Sequence, residues 1–363
     1  MYEEGKARIK YATGTFLNPA AKLSRDISVA FVNAVAQEKS KMLDATAATG
    51  IRGIRCCLET MAKDVTFLDI NEVVFKQLKK NIAFNHVKAK AYNKSIQEFS
   101  SATRESFDLI DLDPFGGVTP YVYDLMKVSR DGTYLLVTAT DTAVLCGAAR
   151  KACIRLYDAV PMHNELCHEV GVRILAGYVA RVAAQFNFGI EVKLALSYLH
   201  YMRIFVKLSS GAKKADASIG NIGYAYYCDR CHARHCANGQ MPDRICKCCG
   251  NKLEAAGKLW VGSIVDKAVA GQMRQCLSKT GADAKELAFL ETVAEESDIP
   301  LYYSIPVLTK KLGIGSVSPV LVMDALRAKG FMASKTHMHD SCIKSDAGIK
   351  EIEGIARELK QHV

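Results

Sequence analysis

From residue 40 to about residue 208, short apolar and β-branched runs alternate with segments of helical periodicity. "KMLDAT" is followed by "GIRGIRCCLETMA", and "VTFLDI" by "NEVVFKQLKKNIAFNH". "FDLIDLD" precedes "TPYVYDLMKVS", and "GTYLLVTATD" precedes a helical stretch from about Asn164 to Gln185. "IEVKLALSYLHYMRIFVKLSS" then closes the region with two β-rich runs. Alternation of this kind restricts the chain to βαβ units, an α/β fold with a mostly parallel sheet and helices on both faces. Ligands of such sheets sit at the carboxyl ends of the strands.

The chain has 363 residues, more than one core comfortably holds, so two domains are expected. Composition shifts at "GAKKADASIGNIG", which sets the boundary between a first domain, 1–212, and a second, 213–363. The second is read as smaller and α+β. It carries a cysteine-rich segment (about 224–262), a helical run near 283–297 and a last unit (about 302–350). In that unit Ser304 is placed to cap "IPVLTKKLG", and Ser318-Pro319 opens a helix that ends at Gly330 before a strand-like "FMASKTHM". Helix, turn, helix and hairpin fit a winged-helix unit and fit equally a small helical cap with no partner.

The formal net charge of +10 suggests a polyanionic partner. No window approaches the roughly 18–20 apolar residues of a membrane helix. The opening "MYEEGKARIK" has no apolar h-region, so a cytoplasmic protein is expected. Nothing calls for an obligate protein partner, and a monomer is expected. The 13 cysteines then read as buried thiols and metal ligands rather than disulfides.

The first βα turn is "LDATAATGIRGIR" (43–55): Asp44 ends a strand, and Gly50 and Gly53 open the next helix. A dinucleotide fold would place G-x-G-x-x-G here, so that the backbone approaches a pyrophosphate. Ala and Thr occupy those tight positions instead, which a sulfonium nucleoside without a pyrophosphate tolerates. The second strand ends at Asp69, the distance at which an acid holds ribose hydroxyls; the alternative is a plain helix N-cap. Acid, turn, helix, strand and acid make the arrangement of a Rossmann-like class I methyltransferase that uses S-adenosyl-L-methionine. At the end of the third strand Ser95 and Gln97 are available to the adenine amino group, with Ile96 to pack on the ring.

"DLIDLDPFGG" (108–117) then sets carboxylates at the end of a buried strand. The lone pair of a guanine or adenine amino group is delocalised into its ring. A carboxylate that accepts a hydrogen bond from the amine orients it and favours the lone pair at transfer. Asp113 is the candidate for that task, and Phe115 offers a face for a base that has left its helix. Asp111 points the other way along the strand, and its role is open.

"CDRC" (228–231) and "CKCCG" (246–250) are two knuckle-like pairs. Cys228, Cys231, Cys246 and Cys249 fit a tetrahedral zinc site with no open position, hence a structural one. Cys248, Cys236, His232 and His235 compete for the place of Cys249. "CHEVG" lacks the second histidine of H-E-x-x-H and is not read as a zinc protease.

Taken together, "FLNPAAKLSRDIS" (16–28), "DATAATGIRGIR", "DLDPFGG", "VTATDTAVLCGA" (137–148), "NELCHEVGVRIL" (164–175) and "ASKTHMHDSCIKSDA" (333–347) resemble the tRNA guanine-26 N2-dimethyltransferases of archaea and eukaryotes. The resemblance covers most of the chain. It implies transfer of one or two methyl groups from S-adenosyl-L-methionine to the guanine at the hinge of the D-arm and the anticodon stem. It places cofactor contacts on Arg25 and Arg52, the ribose acid on Asp69, the catalytic acid and stacking ring on Asp113 and Phe115, and a second wall on Phe16. Asp141 would line the pocket, and the carboxy-terminal domain would hold the tRNA. Two departures stand out: Ser95-Ile96 replaces an Asp-Ala pair of some relatives, and the cysteine quartet is not universal in the family. The alternatives are methyl transfer to an amino group of another RNA or of DNA, and a nucleic-acid-binding protein whose methyltransferase domain is only a scaffold.

Overall fold

The computed structural model describes residues 1–11, 16–240, 244–279 and 282–361. Met241–Asp243, inside the cysteine-rich segment expected at 224–262, lie outside the described residues. The chain opens with a hairpin, β1 (Tyr2–Glu4) and β2 (Ala7–Ile9), followed by helix α1 (Lys22–Val35). The βα series is β3 (Lys41–Asp44), α2 (Ile51–Glu59), β4 (Asp64–Leu68), α3 (Glu72–Phe84), β5 (Lys90–Tyr92) and α4 (Ile96–Ala102). It continues through β6 (Phe107–Leu112), α5 (Val122–Lys127), β7 (Ser129–Ala139), α6 (Thr142–Leu145), α7 (Arg150–Tyr157) and α8 (Cys167–Ala184). The antiparallel pair β8 (Phe188–Tyr198) and β9 (Tyr201–Ser210) completes one seven-stranded sheet, in the order β5-β4-β3-β6-β7-β9-β8.

The five strands β5, β4, β3, β6 and β7 run parallel, and β9 joins β7 antiparallel. This is the Rossmann-like arrangement expected from the alternation. Strand order reverses between β3 and β6, so the crevice beyond their carboxyl ends is the switch point where ligands bind. Strands at the middle of such a sheet are covered on both faces and read as continuous apolar runs. In β6, Phe107, Leu109, Ile110 and Leu112 are all buried, and so is the charged Asp111.

After residue 212 the architecture changes. Ile222–Tyr227 pairs antiparallel with Arg234–Asn238 on one side and Glu254–Trp260 on the other. The last of these packs on α8 at Gly177, where an added Cβ would lie 3.0 Å from the Trp260 nitrogen. Helices Lys267–Ser278 and Ala284–Glu295 follow, and Met273, Leu277, Leu290 and Val293 join the same buried cluster as the sheet. A second cluster begins at Tyr303 and holds helices Ile305–Leu312, Pro319–Ala328 and Ile349–Gln361 against a small sheet of Tyr303–Ser304, Cys342–Ser345 and Ala333–Lys335. Ser304 caps the first of these helices as expected. Among the described residues no helix is long and apolar enough to cross a membrane.

Buried charges bind the two parts together. On α8, Glu169 accepts from Arg173 Nε at 2.9 Å and from the Leu301 N–H at 2.8 Å. Lys344 Nζ lies 3.3 Å from Glu169 and 2.8 Å from Glu296, which His337 Nδ1 meets at 2.6 Å. Burial alone would raise the pKa of Glu296, but His337 and Lys344 outweigh it and hold the carboxyl well below its ordinary range.

Candidate active site

At the end of β3, Asp44 accepts the Gly53 N–H at 3.1 Å. A Cβ on Gly53 would come 2.3 Å from the Phe67 ring, so glycine is what lets α2 lie this close to β4. Gly50 starts α2 with φ +81°, a left-handed conformation that side chains resist. Beyond β4, Asp69 accepts the Ala48 N–H at 2.9 Å and the Asn71 N–H at 2.8 Å, which ties the first and second strand ends together. Asn71, not Asp69, caps α3. Ser95 caps α4 in a reciprocal capping box with Glu98, and Ile96 is buried in the core. The exposed apolar side chain at this edge is Ile70, next to Asp69.

Asp113 follows β6, and its N–H donates to Thr46 Oγ1 at 2.9 Å, so the two turns are fastened to each other. The chain then reverses at Gly116, with φ +83° and its N–H donating to Thr140 Oγ1 at 2.8 Å. A Cβ on Gly117 would lie 2.7 Å from Asp141 Oδ2, and Asp141 in turn accepts from the Tyr157 hydroxyl at 3.0 Å. Asp141 is thus at the rim of the Asp113–Gly117 turn.

The Asp113 carboxylate is one-third exposed and ion-pairs with Arg52 Nη2. Arg52 is buried; its Nε lies 3.3 Å from Asp111 Oδ1, and its Nη1 donates to the Ser24 carbonyl at 3.2 Å. Asp111 does have a partner on the other side: Arg203 of β9, which also donates to Thr138 and, at 3.0 Å, to Ser28 Oγ. Asp44, close to this cluster, is pushed up to about 7, first by burial and then by the Asp111 carboxylate. Arg25 is held differently. Its guanidinium makes a two-pronged pair with Glu4 at 2.7 and 2.6 Å and donates to the Asn18 carbonyl at 3.0 Å. Glu4 also receives Arg55 at 2.7 Å, so the amino-terminal hairpin locks α1 and α2 in place.

Phe115 and Phe16 are 75% and 52% exposed, unusual for large apolar side chains. Their ring centroids are 4.7 Å apart at an interplanar angle of 81°. The two rings form a corner: a base laid on one face meets the edge of the other ring. The structure therefore brings Asp113, Phe115, Phe16 and Arg52 together, with Asp44 and Asp69 along the same line of strand ends. Ser95 and Ile96 lie beyond Asp69, engaged in helix α4.

Sequence reasoning missed Glu4, Thr46, Thr140 and Arg203. For Arg203 the signal was present, a cation near the start of the otherwise mostly apolar run "YMRIFVKL". Glu4 gave none, because a charged residue near a chain start is ordinary.

The cysteines of the two knuckles converge. The four sulfurs of Cys228, Cys231, Cys246 and Cys249 lie within 4.8 Å of one another, with Cys228–Cys249 at 3.5 Å and Cys231–Cys246 at 3.4 Å. Gly250, at φ +73°, closes the second knuckle. The competing side chains stand outside this group of four: His235 stacks on Tyr226, His232 meets Tyr227, Cys236 packs on the main core, and Cys248 packs between the cysteine cluster and the terminal unit.

Comparison with known proteins decides the family. The model of the TRM family, N2,N2-dimethylguanosine tRNA methyltransferase, matches residues 2–357. The chain belongs to this family. A tRNA (guanine(26)-N(2))-dimethyltransferase of Thermococcus kodakarensis is 36% identical, over 99% of this chain and 98% of the relative. One of Methanothermobacter thermautotrophicus is 36% identical over 97% and 95%. The solved complex of Trm1 from Pyrococcus horikoshii with S-adenosyl-L-methionine superposes with a TM-score of 0.90 at 34% identity, covering 98% of each chain. TRM-family membership and this superposition fit the Rossmann-like methyltransferase sheet described above.

Proposed function

We propose that the chain transfers one or two methyl groups from S-adenosyl-L-methionine to the exocyclic N2 of guanine 26 in tRNA. Membership of the TRM family over nearly the whole chain supports this reading. The observation that carries it is the partly exposed Asp113 carboxylate beside the exposed Phe115–Phe16 corner. Such a corner takes the flat base, with Phe115 as the stacking face and Phe16 as the second wall. Asp113 accepts a hydrogen bond from the amine and fixes its lone pair toward the methyl donor.

S-adenosyl-L-methionine supplies an electrophilic methyl group when bound. Asp69 holds ribose hydroxyls, with Ile70 and Ser95 at the adenine end; Ile96, expected to pack on the ring, is buried in the core instead. Arg52 and Arg25 are the cations for the carboxylate end, and Asp44 shapes the turn between them. Asp44, Asp69 and Asp113 lie at strand ends, Arg25 and Arg52 lie on α1 and α2, and Asp69 and Asp113 keep accessible surface.

Residues 1–212 are proposed as the methyltransferase domain and 213–363 as the part that holds tRNA. The three-stranded sheet with the cysteine quartet is read as a zinc-ribbon-like segment. Sulfur pairs of 3.4–3.5 Å are near the edge of about 3.8 Å expected for a zinc thiolate tetrahedron. The unit from Tyr302 is read as winged-helix-like, and the protein as a monomer acting in the cytoplasm. The test is incubation of unmodified tRNA transcripts with labelled methyl donor, nuclease digestion and mass spectrometry. N2-methyl- and N2,N2-dimethylguanosine at position 26 are expected; a methylated adenine, or no uptake at all, would sink the reading.

A further inference from the structure

A second sulfur-rich cluster lies apart from the quartet. Cys146 follows α6, while Cys167 and His168 open α8, and one ligand atom of each falls within 4.8 Å of the other two. His168 Nδ1 is 3.9 Å from Cys146 Sγ and 3.2 Å from Ser197 Oγ. For zinc bonded to sulfur at about 2.3 Å and to nitrogen at about 2.05 Å, a tetrahedron has a sulfur–nitrogen edge of roughly 3.6 Å. The observed separation is a few tenths of an ångström wider, within the reach of a side-chain adjustment. All three residues are only partly buried, so an ion has a path in from solvent.

We propose that Cys146, Cys167 and His168 form a second metal site, selective for a zinc-like ion. Two thiolates and an imidazole are the donor set that suits zinc rather than magnesium or calcium. Three protein ligands leave one position open, unlike the closed four-thiolate arrangement. The position in the fold gives the site a task. Helix α6 follows directly on Asp141, its N-cap, which faces Gly117 in the turn after Asp113. An ion shared between the end of α6 and the start of α8 would pin that rim of the pocket to the longest helix of the domain.

The test is metal content of the full-length chain, purified under reductant and dialysed against zinc. The wild type is expected to hold one equivalent more than Cys146→Ser/Cys167→Ser, whatever the quartet binds. Equal content in the two proteins would overturn the site. Because the double variant removes two partly buried side chains, a second arm uses His168→Asn, the smaller perturbation. Titration with cobalt(II), followed by its thiolate charge-transfer absorption, should show one class of site in wild type weakened at least tenfold in His168→Asn. Identical titration curves would also overturn it.

Discussion

The guanidinium of Arg52 pairs with the Asp113 carboxylate at the mouth of the crevice, while its Nε lies 3.3 Å from the buried Asp111. One cation therefore sets the direction of the acid proposed to receive the amine. Asp113→Ala should lower the rate of methyl transfer by about 10²–10⁴-fold, the usual worth of a positioned acid–base group. Arg52 keeps Asp111 as a partner, so melting should barely move. Single-turnover methylation and thermal unfolding of the same preparation check both halves.

Phe115→Ala should weaken tRNA use without unfolding the chain, since the ring is largely in solvent. Loss of a base-stacking ring is worth about 1–3 kcal/mol, so kcat/KM should fall roughly 5- to 150-fold. Phe115→Tyr keeps the face and should retain most activity. Steady-state kinetics on one tRNA transcript separate the three proteins, and equal kcat/KM for wild type and Phe115→Ala would exclude the ring from the site.

Arg203→Met deprives the fully buried Asp111 of its closest cation. Breaking a buried pair from one side costs about 3–5 kcal/mol, and the loss should fall at the low end of that range because Arg52 Nε stays 3.3 Å from Asp111. Arg203→Met/Asp111→Leu should recover a good part of that loss. Urea unfolding of the single and double variants measures the difference.

The Asp44 carboxyl, pushed up to about 7, gives a pH signature. Unfolded, it ionises near 3.9, so between about pH 4 and 7 the folded chain holds a proton that the unfolded chain has released. Stability from this group is therefore lost as pH rises through that window, by at most about 4 kcal/mol. Asp44→Asn cannot ionise. Its melting temperature relative to wild type should climb from pH 4 to pH 7, and a constant difference would remove Asp44 as the source.

Most of the sheet was legible because short apolar runs alternate cleanly with segments of helical period, and the acids at strand ends broke those runs visibly. Asp44, Asp69 and Asp113 all lie at strand ends, as "LDAT", "FLDI" and "DLDPFGG" implied. What escaped was the set of partners. The Arg52–Asp111–Arg203 chain joins residues far apart in sequence, and nothing in "YMRIFVKL" names the carboxylate its arginine meets. Ile96 illustrates a subtler limit. One position past a helix cap, its side chain turns into the core, while Ile70, at the end of the neighbouring strand, carries exposed surface.

Treatment of the full-length chain with a strong zinc chelator should lower its melting temperature and loosen the segment around Ile222–Trp260 first. Hydrogen exchange would report early loss of protection there, with the seven-stranded sheet unaffected until higher temperature. Cys231→Ser should reproduce the effect without chelator. Uniform protection in both would argue that the four sulfurs hold no ion.

The buried knot of Glu169, Lys344, Glu296 and His337 carries a mechanical meaning. Pulling the terminal unit off α8 would strand several charges in an oily seam, so the two halves behave like the jaws of a caliper set to one opening. If both halves hold the tRNA, as proposed, the RNA has to bring its two touching points to that span. The target would then be chosen by how far it stands from a distant anchor as much as by which letter it is.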